Sequence, residues 1–80
     1  MRNIREYIND DSFKIIIKYN KIYIENYIDI GNISDNKIVI FVKNKKIIIN
    51  GTKLKITKLL KSEVLILGNY NDIIFEGENE

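Results

Sequence analysis

Apolar and polar residues alternate with a period of two over much of this chain. In Lys21–Glu25, Ile22 and Ile24 share one face while Tyr23 and Glu25 take the other. Ile28 and Ile30 repeat the pattern, and Leu54 and Ile56 oppose Lys53, Lys55 and Thr57. A period of two is that of a pleated strand, whose successive side chains point to opposite faces. Turn-forming residues fall between the runs: Tyr19-Asn20, Gly31-Asn32, Ser34-Asp35-Asn36, Lys43–Lys46, Asn50-Gly51, Lys61-Ser62-Glu63 and Gly68–Asp72. Asn50-Gly51 is the strongest hairpin signal, because both residues tolerate the positive φ of a type I′ turn. The pattern predicts strands near 13–18, 21–26, 27–33, 37–43, 46–50, 53–60, 63–68 and 72–76, some of which could join into one long bent strand. Short connections favour antiparallel neighbours. The expected fold is therefore all-β, a small antiparallel meander of seven to eight short strands, rolled or sandwiched. It forms a single β domain over 13–76, followed by an acidic tail at 77–80.

Only the N-terminus carries a helical period. Ile4, Tyr7 and Ile8 are spaced i, i+3, i+4 before Asp10-Asp11-Ser12 breaks the run. Residues 1–12 read either as a short helix lying across a sheet face or as a tail, since so short a helix needs tertiary support.

Several predicted strands are apolar on both faces. One face carries Ile15, Ile17, Ile38, Ile40, Val42, Ile47, Ile49, Val64 and Ile66, and the other carries Ile16, Val39, Phe41, Ile48, Leu65, Leu67 and Ile74. An open sheet with two such faces would aggregate. Either the sheet folds over on itself or the second face meets a partner. Val39, Phe41, Ile48, Leu65 and Leu67 are the candidate interaction face, and self-association into a homo-oligomer is expected.

Composition sharpens this picture. Ile occurs 19 times, Lys 11 and Asn 11 in 80 residues, the usage an AT-rich genome produces. Ile, Val and Thr together supply 24 residues, which suits strands. The chain has no Cys and no His, so it offers no thiol nucleophile, no imidazole base, no disulfide and no Cys/His zinc site. No catalytic motif is present: no serine has a histidine to activate it, and the glycines at 31, 51, 68 and 77 form no phosphate-binding loop. No enzymatic activity, cofactor or metal is expected. No apolar run approaches the ~18 residues of a membrane-spanning helix, and the polar start resembles no signal peptide. A soluble, non-secreted chain is expected.

The net charge of +2 conceals a segregation. Residues 37–61 hold eight Lys and no acid, whereas 62–80 hold five acids and no base. The Lys37–Lys61 strip reads as a solvated, edge-protecting face. Alternatively it docks on an anionic membrane surface or an acidic partner, with Lys43, Lys45, Lys46, Lys53 and Lys55 as contacts. Nucleic acid is the weaker partner, because residues 42–69 contain no aromatic side chain on which a base could stack.

The order of short motifs carries a resemblance. Ile22-Tyr23-Ile24-Glu25-Asn26-Tyr27 is followed by Ser34-Asp35, then Gly51 with Leu54-Lys55-Ile56. The chain closes on Glu63-Val64-Leu65-Ile66-Leu67-Gly68, Tyr70, Ile73 and Phe75. Over about residues 13–76 this is similar to the YabP/YqfC family of sporulation proteins of endospore-forming Firmicutes, in a divergent, clostridial form. Ser12 and Lys18 stand where other members carry a Pro and a Gly. The resemblance implies a role in spore formation, with expression in the mother cell and a location there or at the forespore surface or spore coat. It also implies protein or membrane-linked partners, and it brings no catalytic residues.

Overall fold

Six antiparallel strands form one sheet in the computed structural model, which describes residues 13–77: β1 (Lys14–Lys18), β2 (Lys21–Glu25), β3 (Asp29–Ile33), β4 (Lys37–Val42), β5 (Lys45–Leu59) and β6 (Glu63–Gly77). The all-β reading holds, and no helix lies among the described residues. The strand count is six because the predicted strands at 46–50 and 53–60 are one, β5, and those at 63–68 and 72–76 are one, β6. Residues 1–12, read as helix or tail, and most of the acidic tail lie outside the described residues, while Gly77 ends β6.

The strand order is β1-β2-β6-β5-β4-β3. From β3 to β6 the chain meanders, and the β1–β2 hairpin lies on the far side of β6. β5 and β6, fifteen residues each, form a long hairpin with Ile56 opposite Ile66 near its turn and Ile47 opposite Phe75 near its open end. Along this hairpin, β2 pairs with β6 only over Glu63–Leu67 at the turn end, and β4 pairs with β5 only over Lys45–Asn50 at the open end. The sheet thus has two blades joined by the middle of β5 and β6. Ile22 and Ile24 belong to one blade and Ile38 and Ile40 to the other. All four are no more than 1% exposed and share one cluster with Val42, Ile47, Ile49, Leu54, Val64 and Ile66. A flat sheet could not bring these residues together. The sheet folds over at mid-hairpin, and the blades meet face to face, at the roughly 10 Å spacing that interdigitated side chains require.

The fold line coincides with register shifts in β5–β6 at Asn50/Gly51, Thr52/Lys55 and Ile56/Lys58. Bulges bend a strand and increase its twist. Asn50-Gly51 and Gly68–Asp72, read as turns in the sequence, therefore mark bends within continuous strands. Lys53 takes a φ of 56° and Gly68 a φ of 138° at these bends. A Cβ on Gly68 would lie 2.6 Å from the Lys53 carbonyl oxygen. Gly51 is not among the positive-φ residues, so it is glycine for room and not for torsion.

Backbone hydrogen bonds fasten other loops to the fold line. Gly51 N donates to Asn36 O (3.1 Å), Leu54 N to Asp35 O (2.8 Å) and Gly68 N to Asn20 O (3.2 Å). At the far end of the roll Asn26 N donates to Ser62 O, and the Tyr27 hydroxyl donates to Leu60 O (2.9 Å). Tyr27→Phe removes one such tie from a partly solvated site and is expected to cost about 0.5–1 kcal/mol. Urea unfolding should show this as a lower midpoint with an unchanged slope.

Candidate functional site

Folding over buries one apolar face and turns the other outward on both blades. Ile38, Ile40, Val42, Ile47, Ile49, Val64 and Ile66 point into the core, as their alternation predicts. Ile15 is only half-buried and Ile17 is 44% exposed, because among the described residues β1 has a neighbour on one side alone.

The candidate interaction face is divided by the fold. Val39 on β4 lies opposite Ile48 on β5, and Ile48 lies opposite Ile74 on β6, giving an apolar row across the outside of one blade. Phe41 adjoins this row. A Cβ on Gly31 would sit 2.8 Å from Phe41 Cε2, so the ring covers the glycine of edge strand β3. This cover leaves Val39 buried and Phe41 half-buried. Leu65 and Leu67 are outside the other blade, where Ile16, Tyr23 and Leu65 form a second row and Leu67 pairs with Lys21. Alternation along the chain puts these five residues on one surface. The structure brings Val39, Phe41 and Ile48 together, and Leu65 and Leu67 together, on opposite outer faces.

The basic strip is divided in the same way. Lys43 and Asn44 form the β4–β5 turn, with Asn44 at a φ of 64°, and Lys45 opens β5. Lys46 lies opposite Phe41 and Glu76, with its Nζ 3.5 Å from Glu76 Oε1. That pair is solvent-exposed and contributes little stability. Lys53 occupies the bulge, and Lys55 lies opposite Leu67 on the second blade. Through Leu67, Lys55 joins a cross-strand row with Lys21 and Lys18, two β1–β2 hairpin residues that the strip did not include.

A shallow groove of about 200 Å3 is lined by Tyr23, Lys58, Leu60, Glu63, Val64 and Leu65. Small-molecule sites usually enclose ~300–1,000 Å3. Partial burial, followed by the Glu25 and Glu63 carboxylates and a hydrogen bond to Glu63, pushes the Tyr23 phenol above its ordinary pKa. The shift favours the protonated phenol, which can donate a hydrogen bond. Tyr23 belongs to the outer apolar row, and its half-buried ring beside two acids was not singled out by the period-two pattern. Among the described residues, no group of three or more His, Cys, Asp or Glu is placed to hold a metal ion.

Comparison with known proteins returns one family. The model of the YabP family matches residues 11–80, which include all six strands. No curated protein and no solved structure matches the chain significantly.

Proposed function

The chain belongs to the YabP family, and from that membership we propose that it is a non-enzymatic assembly protein of endospore formation, acting through protein–protein contacts. The family match carries the reading, since it points to a sporulation-related role. Two features of the surface support the finer part. Ile48 and Ile74 outside one blade and the row Ile16–Tyr23–Leu65 outside the other offer apolar side chains on both blades, the kind of surface that a partner covers. The groove beside Tyr23 is shallow and smaller than the usual small-molecule site. We place the protein in the mother cell or at the forespore surface, where an assembling layer would present such partners.

Deleting the gene in the source organism is expected to lower the yield of heat-resistant spores while leaving vegetative growth unchanged. A normal yield of resistant spores would overturn the proposal. A complementing copy carrying Ile48→Asp should fail to restore the yield if the outer row is the contact surface, provided that the variant accumulates in the cell.

A further inference from the structure

Strand edges expose unpaired N–H and C=O groups and recruit further strands unless they are blocked. Among the described residues, β1 pairs on one side only, with β2. β6 is flanked by both β2 and β5 over Glu63–Leu67, but from Asn69 to Gly77 it has β5 alone among the described residues. These two free edges flank one seam of the roll. Asn20 O accepts from Gly68 N at one end, and the Phe13 and Phe75 rings stack at 6.2 Å at the other. Between these ties, no Cα of β1 comes within 8 Å of a Cα of β6, so the edges do not pair with each other within the chain. The opposite seam, between β3 and the end of β5, is instead tied at one end by Leu54 N to Asp35 O and at the other by the Tyr27 hydroxyl to Leu60 O.

The two edges also match in sequence. β1 reads Lys14-Ile15-Ile16-Ile17-Lys18, and the free part of β6 reads Asp72-Ile73-Ile74-Phe75-Glu76. We propose that the β1 edge of one molecule adds antiparallel to the Asp72–Glu76 edge of a second copy of this chain. Lys14 then stands opposite Glu76, Ile16 opposite Ile74 and Lys18 opposite Asp72 on one face, while Ile15 meets Phe75 and Ile17 meets Ile73 on the other. Charge selects this pairing over its rivals. β1 against β1 would set lysine against lysine, and β6 against β6 would set acid against acid, which is unfavourable in directly opposed cross-strand pairs. Exposure agrees: Ile16, Ile17, Ile74 and Phe75 are 40–46% exposed, and all four lie on these two edges. Both edges occupy one flank, so two copies engage reciprocally and close as a dimer. The inference rests on the strand edges alone, so it and the role in sporulation can fail independently.

The test is a charge swap on the full chain, read by sedimentation across a protein concentration series. Wild type is expected to associate, and to do so less at high salt. Lys14→Glu/Lys18→Glu and Asp72→Lys/Glu76→Lys should each weaken association by about tenfold or more, since like charges now oppose across every edge pair. Mixing the two variants should restore association, because each edge of one then finds the opposite charge on the other. Circular dichroism establishes that both variants are folded, and a chain with all four substitutions, which should again self-associate, replaces either one that is not. A wild type that stays monomeric at high micromolar concentration would overturn the proposal. So would variants that associate as strongly as wild type, or folded variants that remain monomeric when mixed.

Discussion

Gly51→Ala is expected to lower stability by roughly 3 kcal/mol or more, the range of overpacking against atoms that cannot yield. The added Cβ would overlap Asn69 O and lie 2.7 Å from Tyr70 Cα. Both are backbone atoms of the paired strand, so no side-chain rotation relieves the clash. Nor can β5 move away, because Gly51 N is bonded to Asn36 O on its other side. The loss would be a large share of the total, since a domain of this size has only about 4–12 kcal/mol in all. In a thermal melt it corresponds to a fall of at least ~12 °C. Two other glycines calibrate the result. A Cβ on Gly31 would meet the Phe41 ring, a side chain that can shift, and Gly31→Ala should cost less. Nothing lies within 4 Å of a Cβ on Gly77, so Gly77→Ala should be near neutral. If Gly51→Ala melted within a few degrees of wild type, the close approach of β5 and β6 at the fold line would be wrong.

That glycine also marks the boundary of what the sequence makes legible. Alternation depends on local geometry, so Ile22/Ile24, Ile38/Ile40/Val42, Ile47/Ile49 and Val64/Ile66 could be sorted to one face without any knowledge of the topology, and all are buried. Asn50-Gly51 could not be resolved in the same way. A hairpin turn and a bulge in a bent strand both call for glycine, one for positive φ and the other for room, and only the pairing of Gly51 with Tyr70 tells them apart. Reading it as a turn divides β5 and hides the two-blade fold. The division of the interaction face follows from the same ambiguity. Phe41 and Leu65 are equivalent in parity, but they lie before and after the bend and emerge on opposite blades. The charge match between β1 and β6 is present in the sequence, yet it acquires meaning only once both segments lie at sheet edges with no second neighbour among the described residues.

Ile47, Ile48 and Ile49 are one residue type in one strand, and alanine is expected to cost far more at Ile47 and Ile49 than at Ile48. Ile49 is fully buried, with Ile38 on one neighbouring strand and Ile73 on the other. Ile49→Ala removes buried methyl groups and leaves a cavity between the blades, at a cost of about 2–5 kcal/mol. Ile47, equally buried between Ile40 and Phe75, should fall in the same range. Ile48, half-buried between Val39 and Ile74 on the outer face, should cost about 1 kcal/mol, because its loss opens no enclosed cavity. Equilibrium unfolding of the three variants tests the parity directly, and three equal costs would refute the assignment of inner and outer faces. The same series separates stability from function. If the Val39–Ile48–Ile74 row is covered by a partner, Ile48→Ala should weaken that association while the isolated domain stays nearly as stable as wild type. Ile47→Ala and Ile49→Ala should act on association only in proportion to the folded protein they leave. A mild loss of stability paired with a strong loss of assembly at Ile48 is the signature expected of a contact surface, and an Ile48→Ala protein that assembles normally would remove that row from the candidates.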